Sequence, residues 1–390
     1  MYAYWDWTSL YIYIITGIVC YWSCSKVKSI ELYTGRRQKV FNLEYFVWYI
    51  LWLVMAVWRH IELNIGGTDA YNYMTYFEIC LDPNSHHRYV THLDILYKLL
   101  NQTVRLITSD YHVLFFIIYT IILLSYILVI NEFVVAGSSL IPVVSLIYLY
   151  LRGFNTIRTN LSVALILLSM VFLRRNHKMW AIVLAIASIF VQKASMLYAI
   201  YIIFYFIYEK KGITVKGCLI YTVLAAIVGR IAQSFLTAIH WSFLDDGAYV
   251  SYIGRSLTGS FFDNFWKICF SQLLLGAALI VFRKGISKYI SNLDEEHQKS
   301  MNFIRLMCYF DMMTIPITYI LGIWRGYEYF YILRLVMWGT IINIVCGYFD
   351  TKSKKIVKAC FFVVFIIWVI SRLDSSWESS SLMPYVFDLF

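Results

Sequence analysis

Asp69 follows a Gly66-Gly67 pair and precedes Tyr71, Tyr73 and Tyr76 in the stretch 58–79, WRHIELNIGGTDAYNYMTYFEI. A carboxylate beyond a flexible turn can take a proton from a hydroxyl. Tyrosine rings can stack on sugar rings or line a groove. The plainer reading has Asp69 capping a helix that starts near Tyr71, with interfacial tyrosines around it. His86, His87, His92 and Asp94 cluster before or at the start of the next helical pattern. Histidine titrates near neutral pH, so this group offers a general base. Its spacing matches no strong metal pattern, and solvated loop histidines are the plainer account.

In LRGFNTIRTNLS, residues 151–162, Arg152 and Arg158 flank Gly153, with Asn155 and Asn160 nearby. A cation at the positive end of a helix is poorly placed for helix stability but well placed for an anion. The alternative is an arginine snorkelling to lipid headgroups. Val191-Gln192-Lys193-Ala194-Ser195 breaks the apolar stretch 179–208 with a charge. Such a charge is costly in a membrane and usually functional, unless it marks a polar turn. In IWRGYEYFYILRLVMW, residues 323–338, Arg325 and Arg334 bracket Glu328. Arg334 lies about one turn inside the apolar boundary, so it must pair with a carboxylate such as Glu328 or with a ligand anion. Asp245-Asp246-Gly247 is only a weak metal signal, and no P-loop, GxGxxG, HExxH or GxSxG occurs.

The elements that position these residues must be membrane helices. Of 390 residues, 61% are hydrophobic and only 14% charged. An ordinary soluble domain carries roughly 25% charge. This composition excludes a soluble globular enzyme, a disordered chain and a nucleic-acid reader. The fold class expected is all-α: a polytopic integral membrane protein with an amphipathic surface helix on its outer side. Apolar runs predict twelve spans, at 4–24, 41–58, 112–131, 134–151, 157–173, 179–191, 194–208, 216–237, 264–282, 301–323, 329–348 and 358–372. The stretch 179–208 suits one long tilted span or two short ones, and two are preferred. The whole of 1–390 reads as one membrane domain with long outer loops at 59–111 and 238–263. The start has no basic n-region or small-x-small cleavage site, so it is expected to be a retained first span.

The net charge of +10 is best read through the position of each cation. With both termini outside, the inner loops hold a Lys-rich majority, such as Lys26, Arg36, Arg174, Lys210, Lys284 and Lys354. The outer cations are nearly all arginines, with Lys98 and Lys193 as the exceptions. Arginine suits planar, bidentate gripping of phosphate or carboxylate, so the chemistry is expected on the outer side. The eight cysteines show no Cys-x-x-Cys and no Cys/His cluster. They read as small buried apolar residues.

The order of these segments resembles the EpsG/Wzy-type exopolysaccharide polymerase family. Gly67-Thr68-Asp69-Ala70-Tyr71-Asn72-Tyr73 resembles that family's Gly-Thr-Asp-Tyr-x-x-Tyr element. Tyr97-Lys98-Leu99-Leu100-Asn101 resembles its Asn-Lys-Leu helix, Arg158 its Arg-Gln-x-(Ile/Leu)-Ala stretch, and Val191–Ser195 its Phe-His-x-Ser-Ala stretch. Arg334 looks like the family's late Arg, and Pro384-Tyr385 like its Pro-Tyr. Three departures stand out. Gln192 replaces the hairpin His, Thr159 replaces the Gln after Arg158, and the Glu opening the surface helix is matched by His92 or Asp94.

The resemblance implies a glycosyltransferase of the bacterial cytoplasmic (inner) membrane, with both termini outside. It would join undecaprenyl-pyrophosphate-linked oligosaccharide repeat units into exopolysaccharide, capsule or O-antigen chains. Arg158, Arg152 and Arg334 are expected on the pyrophosphate, with Lys193 and Arg325 as helpers and Gln192 beside them. Asp69 is the expected base, with His92 behind it, and Tyr71 and Tyr73 would line the sugar path. No metal or other cofactor is inferred, since the cations can do that work. The expected partners are the lipid-linked oligosaccharide and membrane lipid, with a chain-length regulator as a further candidate and no nucleic acid. The rivals are an O-antigen ligase, another polyprenyl-linked glycosyltransferase, or a flippase or transporter of lipid-linked sugars. A transporter would tend to show two related halves, and no such repeat is evident.

Overall fold

The computed structural model describes residues 5–34, 42–82, 93–135, 138–209, 213–238, 261–321, 324–374 and 380–387. His92 and most of the 238–263 loop, including Asp245 and Asp246, lie outside the described residues. Among the described residues every regular element is a helix, and the β-type contacts are isolated bridges. The first helices are α1 (Trp7–Thr34), α2 (Leu43–Val57), α3 (Thr68–Ile79), α4 (Ile95–Ile107) and α5 (Tyr111–Phe133). A 3-10 turn, Ile141–Ser145, runs into α6 (Leu146–Asn155), followed by α7 (Ile157–Arg174) and α8 (Lys178–Val191). After a 3-10 turn at Lys193–Ser195 come α9 (Met196–Ala199), α10 (Tyr201–Tyr208), α11 (Val215–Ala238), α12 (Phe261–Val281) and α13 (Arg283–Ser291). The last are α14 (Glu295–Ile320), a 3-10 turn at Trp324–Glu328, α15 (Tyr331–Cys346) and α16 (Thr351–Asp374).

The all-helical expectation holds, because a chain in hydrocarbon must satisfy its backbone within itself. Among the described residues, six helices are long and apolar enough to cross a membrane: Trp7–Ser29, Tyr111–Phe133, Ile157–Arg174, Lys216–Ser234, Glu295–Ile320 and Thr351–Asp374. A seventh crossing is reached if Cys269–Val281 and Arg283–Ser291, bent by 72°, count as one. The other five expected spans fall on shorter apolar helices. Sixteen residues of α15 make a rod of about 24 Å, short of the ~30 Å hydrocarbon core.

Polar residues place several helix ends. Asp110 accepts from the His112 amide at 2.9 Å and starts α5. Asp294 accepts from the His297 amide at 3.0 Å and starts α14, whose first turn also carries Glu295 and Glu296. Acids there suit the positive helix end. The stretch 179–208 is broken at Gln192, which is extended (φ −155°, ψ 113°), where the sequence places the break.

The described chain divides into two compact units. One comprises residues 1–193 and 338–390, the other 194–337. In the first, α7 and α8 pack tightly through small residues. Ser169 Oγ donates to the Ala181 carbonyl (2.5 Å) and Ser162 Oγ to the Ser188 carbonyl (3.2 Å). Small residues let helices approach closely in a membrane, and hydroxyls then bond across. Both partners shift by seven residues in opposite directions, so the helices run antiparallel. The same register sets Arg158, at the start of α7, opposite Gln192 at the end of α8.

The break between α6 and α7 is similarly braced. Thr156 Oγ1 donates to the Arg152 carbonyl (2.9 Å), while Tyr119 Oη donates to the Gly153 carbonyl (3.0 Å). Asn160 bridges the break. Its Nδ2 donates to the Leu149 carbonyl (3.2 Å) and its Oδ1 accepts from Tyr126 Oη (2.7 Å). Asn160 therefore serves the scaffold rather than an anion.

Candidate functional site

The Gly66-Gly67 turn is held from two sides. Arg59 is fully buried; its Nε donates to the Gly66 carbonyl (2.9 Å), one Nη to the Phe154 carbonyl (3.2 Å) and the other to the Ala56 carbonyl. Its guanidinium lies 4.6 Å from the centre of the Phe154 ring and 5.1 Å from that of Phe115. One of the arginines expected on the outer side is thus a structural clamp, with its charge spread over carbonyls and ring faces.

On the other side lies the segment 380–387. The Gly67 amide donates to the Ser381 carbonyl (3.1 Å), and the Thr68 and Ser381 hydroxyls are 2.9 Å apart. Tyr13 Oη donates to the Leu382 carbonyl (2.5 Å), the Tyr385 amide to Ser9 Oγ (2.7 Å), and Tyr385 Oη to the Met55 carbonyl (2.9 Å). Arg152 Nη1 donates to Ser380 Oγ at 3.1 Å. The Pro384-Tyr385 pair noted in the sequence is thus part of a strap over the turn. Burial pushes the Tyr385 hydroxyl well above its ordinary pKa, so it stays neutral in that role. Gly67 has φ +117°, and a Cβ there would come within 2.6 Å of the Phe154 carbonyl oxygen. Only glycine takes this conformation freely.

The turn delivers α3. Asp69 lies in its first turn, half-buried, and its amide donates to Asn155 Oδ1 at 2.6 Å. Asn155 stands three residues before Arg158, so the two candidate motifs are stitched together. Tyr73 packs edge-on against Tyr97 of α4, centroids 5.6 Å apart, and Tyr71 is half-buried on the same helix. Burial raises the pKa of the Tyr97 phenol, with Tyr73 adding to this and Arg158 close enough to oppose it.

The central group is Asp94. Its carboxylate, 5% exposed, lies 3.4 Å from Arg158 Nη1 and 3.9 Å from Lys193 Nζ. It also accepts from the Lys193 amide at 3.4 Å. Three elements meet here: the start of α4, the start of α7 and the turn after α8. Arg158 is 17% exposed and Lys193 50%. Gln192, 6% exposed, has a side-chain oxygen with no hydrogen-bond partner among the described residues. Asp94 appears in the sequence as one member of a histidine-led cluster. The structure makes it the hub joining Arg158 to Lys193, and ties the Asp69 amide to Asn155.

Arg334 belongs to the second unit and is enclosed there. It is 2% exposed, and its Nη1 lies 2.5 Å from the Asp311 carboxylate, itself 1% exposed. Gln272 Nε2 donates to the other Asp311 oxygen at 2.6 Å, and the second Nη of Arg334 donates to the Tyr327 carbonyl. The carboxylate partner is therefore Asp311, not the Glu328 that the sequence suggests. Glu328 is buried nearby in chain order, and Arg325 sits half-buried in the same 3-10 turn. That turn is packed against the same unit's α9, where Tyr198 stacks on Tyr329 at 4.2 Å and bonds Thr318 at 3.0 Å. A lone acid within the apolar run Cys308–Met313 was the available signal for Asp311.

Long apolar helices, tight small-residue packing, and ionised groups gathered at helix ends or buried in pairs define a polytopic helical membrane protein. A family model described as EpsG family matches residues 45–387, nearly the whole chain. The chain belongs to the EpsG family. No curated protein and no solved structure matches it.

Proposed function

We propose that the chain is a glycosyltransferase that polymerises oligosaccharide repeat units carried on undecaprenyl pyrophosphate, at the outer face of the cytoplasmic membrane. The observation that carries this reading is the Arg158–Asp94–Lys193 group, two partly open cations held by one buried carboxylate. Membership of the EpsG family supports the polymerase class. The acceptor hydroxyl oxygen attacks the anomeric carbon of the growing glycan. The bond from that carbon to the pyrophosphate oxygen breaks, and undecaprenyl pyrophosphate leaves with the electron pair. The hydroxyl proton passes to Asp69 and on to water.

Arg158 and Lys193 stabilise the charge that develops on the leaving group. Asp94 already engages both cations, so its role is to orient them rather than to take the proton. The open oxygen of Gln192 accepts from a sugar hydroxyl, and Tyr71 and Tyr73 line the sugar path. Arg152, held through Ser380, adds positive potential near the turn. Arg334, whose charge Asp311 matches, is assigned to holding the second unit together.

The test is a gel of surface glycans from a strain lacking the gene, with lipid-linked oligosaccharides extracted beside it. Loss of the polymer ladder with single units accumulating is the expected result. Polymer that persists on its lipid carrier but is not attached to lipid A core would replace this reading by a ligase. Units trapped on the inner face would replace it by a flippase.

A further inference from the structure

Helix α4 has two unlike sides. Tyr97, Asn101 and Val104 are buried against the protein, where the helix packs on α3, α5 and α8. The opposite side carries Ile95, Leu99 and Leu106, which are 59%, 51% and 75% exposed. Spacings of four and seven residues keep these three in one stripe. The aliphatic side is thus the one that the described residues leave uncovered, the reverse of a helix on a soluble core. From Ile95 to Leu106 the stripe runs about 16 Å, at 1.5 Å per residue.

The stripe begins at the residue after Asp94, the carboxylate that holds Arg158 and Lys193. Lys98 and Arg105, seven residues apart, run along one edge of it. A cationic site and a bare aliphatic track therefore start at adjacent residues. A soluble anion would leave the track without a use. A helix resting passively in bulk lipid would leave the built cation site at its end without a use. One ligand satisfies both: an anionic head with a hydrocarbon chain attached.

We propose that the Ile95–Leu99–Leu106 stripe of α4 binds the head-proximal part of a polyprenyl chain whose phosphate head lies at Arg158 and Lys193. The ligand class, an anionic amphiphile, follows from the geometry. Its assignment to the polymerase donor rests on the function proposed above. The stripe then fixes where the donor enters, sideways from the membrane along α4.

The experiment places the photoreactive residue p-benzoylphenylalanine at position 99 of the full chain. The protein is reconstituted in phosphatidylethanolamine–phosphatidylglycerol vesicles doped with undecaprenyl pyrophosphate. Adducts are identified by mass spectrometry. The expected result is undecaprenyl pyrophosphate adducts enriched about tenfold over its share of the lipid, an enrichment abolished by Arg158→Ala. Phospholipid adducts in proportion to abundance, unchanged by Arg158→Ala, would overturn the proposal. This binding readout stands apart from polymerisation: a chain that binds the probe without polymerising refutes the function, not the stripe. In turnover assays, Leu99→Gln with Leu106→Gln raises KM for an undecaprenyl-linked unit about tenfold, with the change in KM rather than kcat. A farnesyl-linked unit, too short to follow the track, changes less. Equal effects on the two donors would also overturn the proposal.

Discussion

Among the described residues are two arginine–aspartate pairs, and they differ in how firmly they are closed. In the second unit Arg334 and Asp311 meet at 2.5 Å with 2% and 1% exposure. In the first, Arg158 and Asp94 meet at 3.4 Å, with the arginine 17% exposed and half-exposed Lys193 sharing the carboxylate. A closed pair in low dielectric cannot give up its partner without leaving a bare charge. A looser pair near an aqueous or ligand-filled edge can turn one face of its cation to an incoming anion. The lesson is that an intramembrane arginine alone does not mark a site. How tightly its ion pair is enclosed does.

The largest effect expected from breaking this contrast is at the closed pair. Asp311→Ala should destabilise the protein by about 3–5 kcal/mol, because Arg334 keeps its buried charge. It should show as loss of protein from membranes and an early melt in detergent. Replacing both residues with apolar ones should recover much of that loss. A stable, abundant Asp311→Ala protein would erase the distinction between the pairs.

At the looser pair the loss should be catalytic. Arg158→Ala is expected to lower polymer yield by about 10²–10³-fold, the usual cost of removing one donor to developing charge. Protein level should stay near normal, as read by quantitative blotting beside the glycan gel. Unchanged polymer length and yield would remove the proposed site.

The Gly66-Gly67 turn offers a middle case. Gly67→Ala forces a side chain onto the Phe154 carbonyl at φ +117°, at a cost of about 1–3 kcal/mol. A lower melting temperature should accompany lower activity, while Gly217→Ala, half-buried at the start of α11 with no positive φ, should leave both nearly unchanged. The smallest effect belongs to Lys193→Met, at most about tenfold in turnover and weaker at high salt, since that cation is half in solvent.

Much of this arrangement is legible in the sequence, and the rest fails for identifiable reasons. The long spans, the helix at 95–107 and the break at Gln192 follow from apolar runs and a misplaced charge, which are local signals. The prominence given to Asp69 over Asp94 came from its setting beside glycine and tyrosines. Only the packing of α7 on α8 brings Lys193 and Arg158 to the start of α4. Arg59 reads like its neighbours in sequence because nothing local reveals that Phe115, Tyr119 and Phe154 will enclose it. Pairing Arg334 with Glu328 follows chain distance, whereas Asp311 is 23 residues away and one helix over. Helical spacing in the sequence favours a face of Leu93, Leu96, Leu99 and Leu100, whereas the exposed stripe of α4 runs through Ile95, Leu99 and Leu106. Which side of that helix the protein would cover is not legible, because a bilayer reverses the usual rule.

The strap from 380 to 387 bears on the order in which this protein becomes competent. A ribosome makes Thr68 long before Ser381, its hydroxyl partner 313 residues later. The turn that presents Asp69 therefore waits, without its contacts to the strap, while 313 further residues are made. A nascent chain stalled anywhere short of the strap would carry the arginines but not the finished turn. Synthesis of the strap is then the step that finishes this turn, long after its own residues have been made.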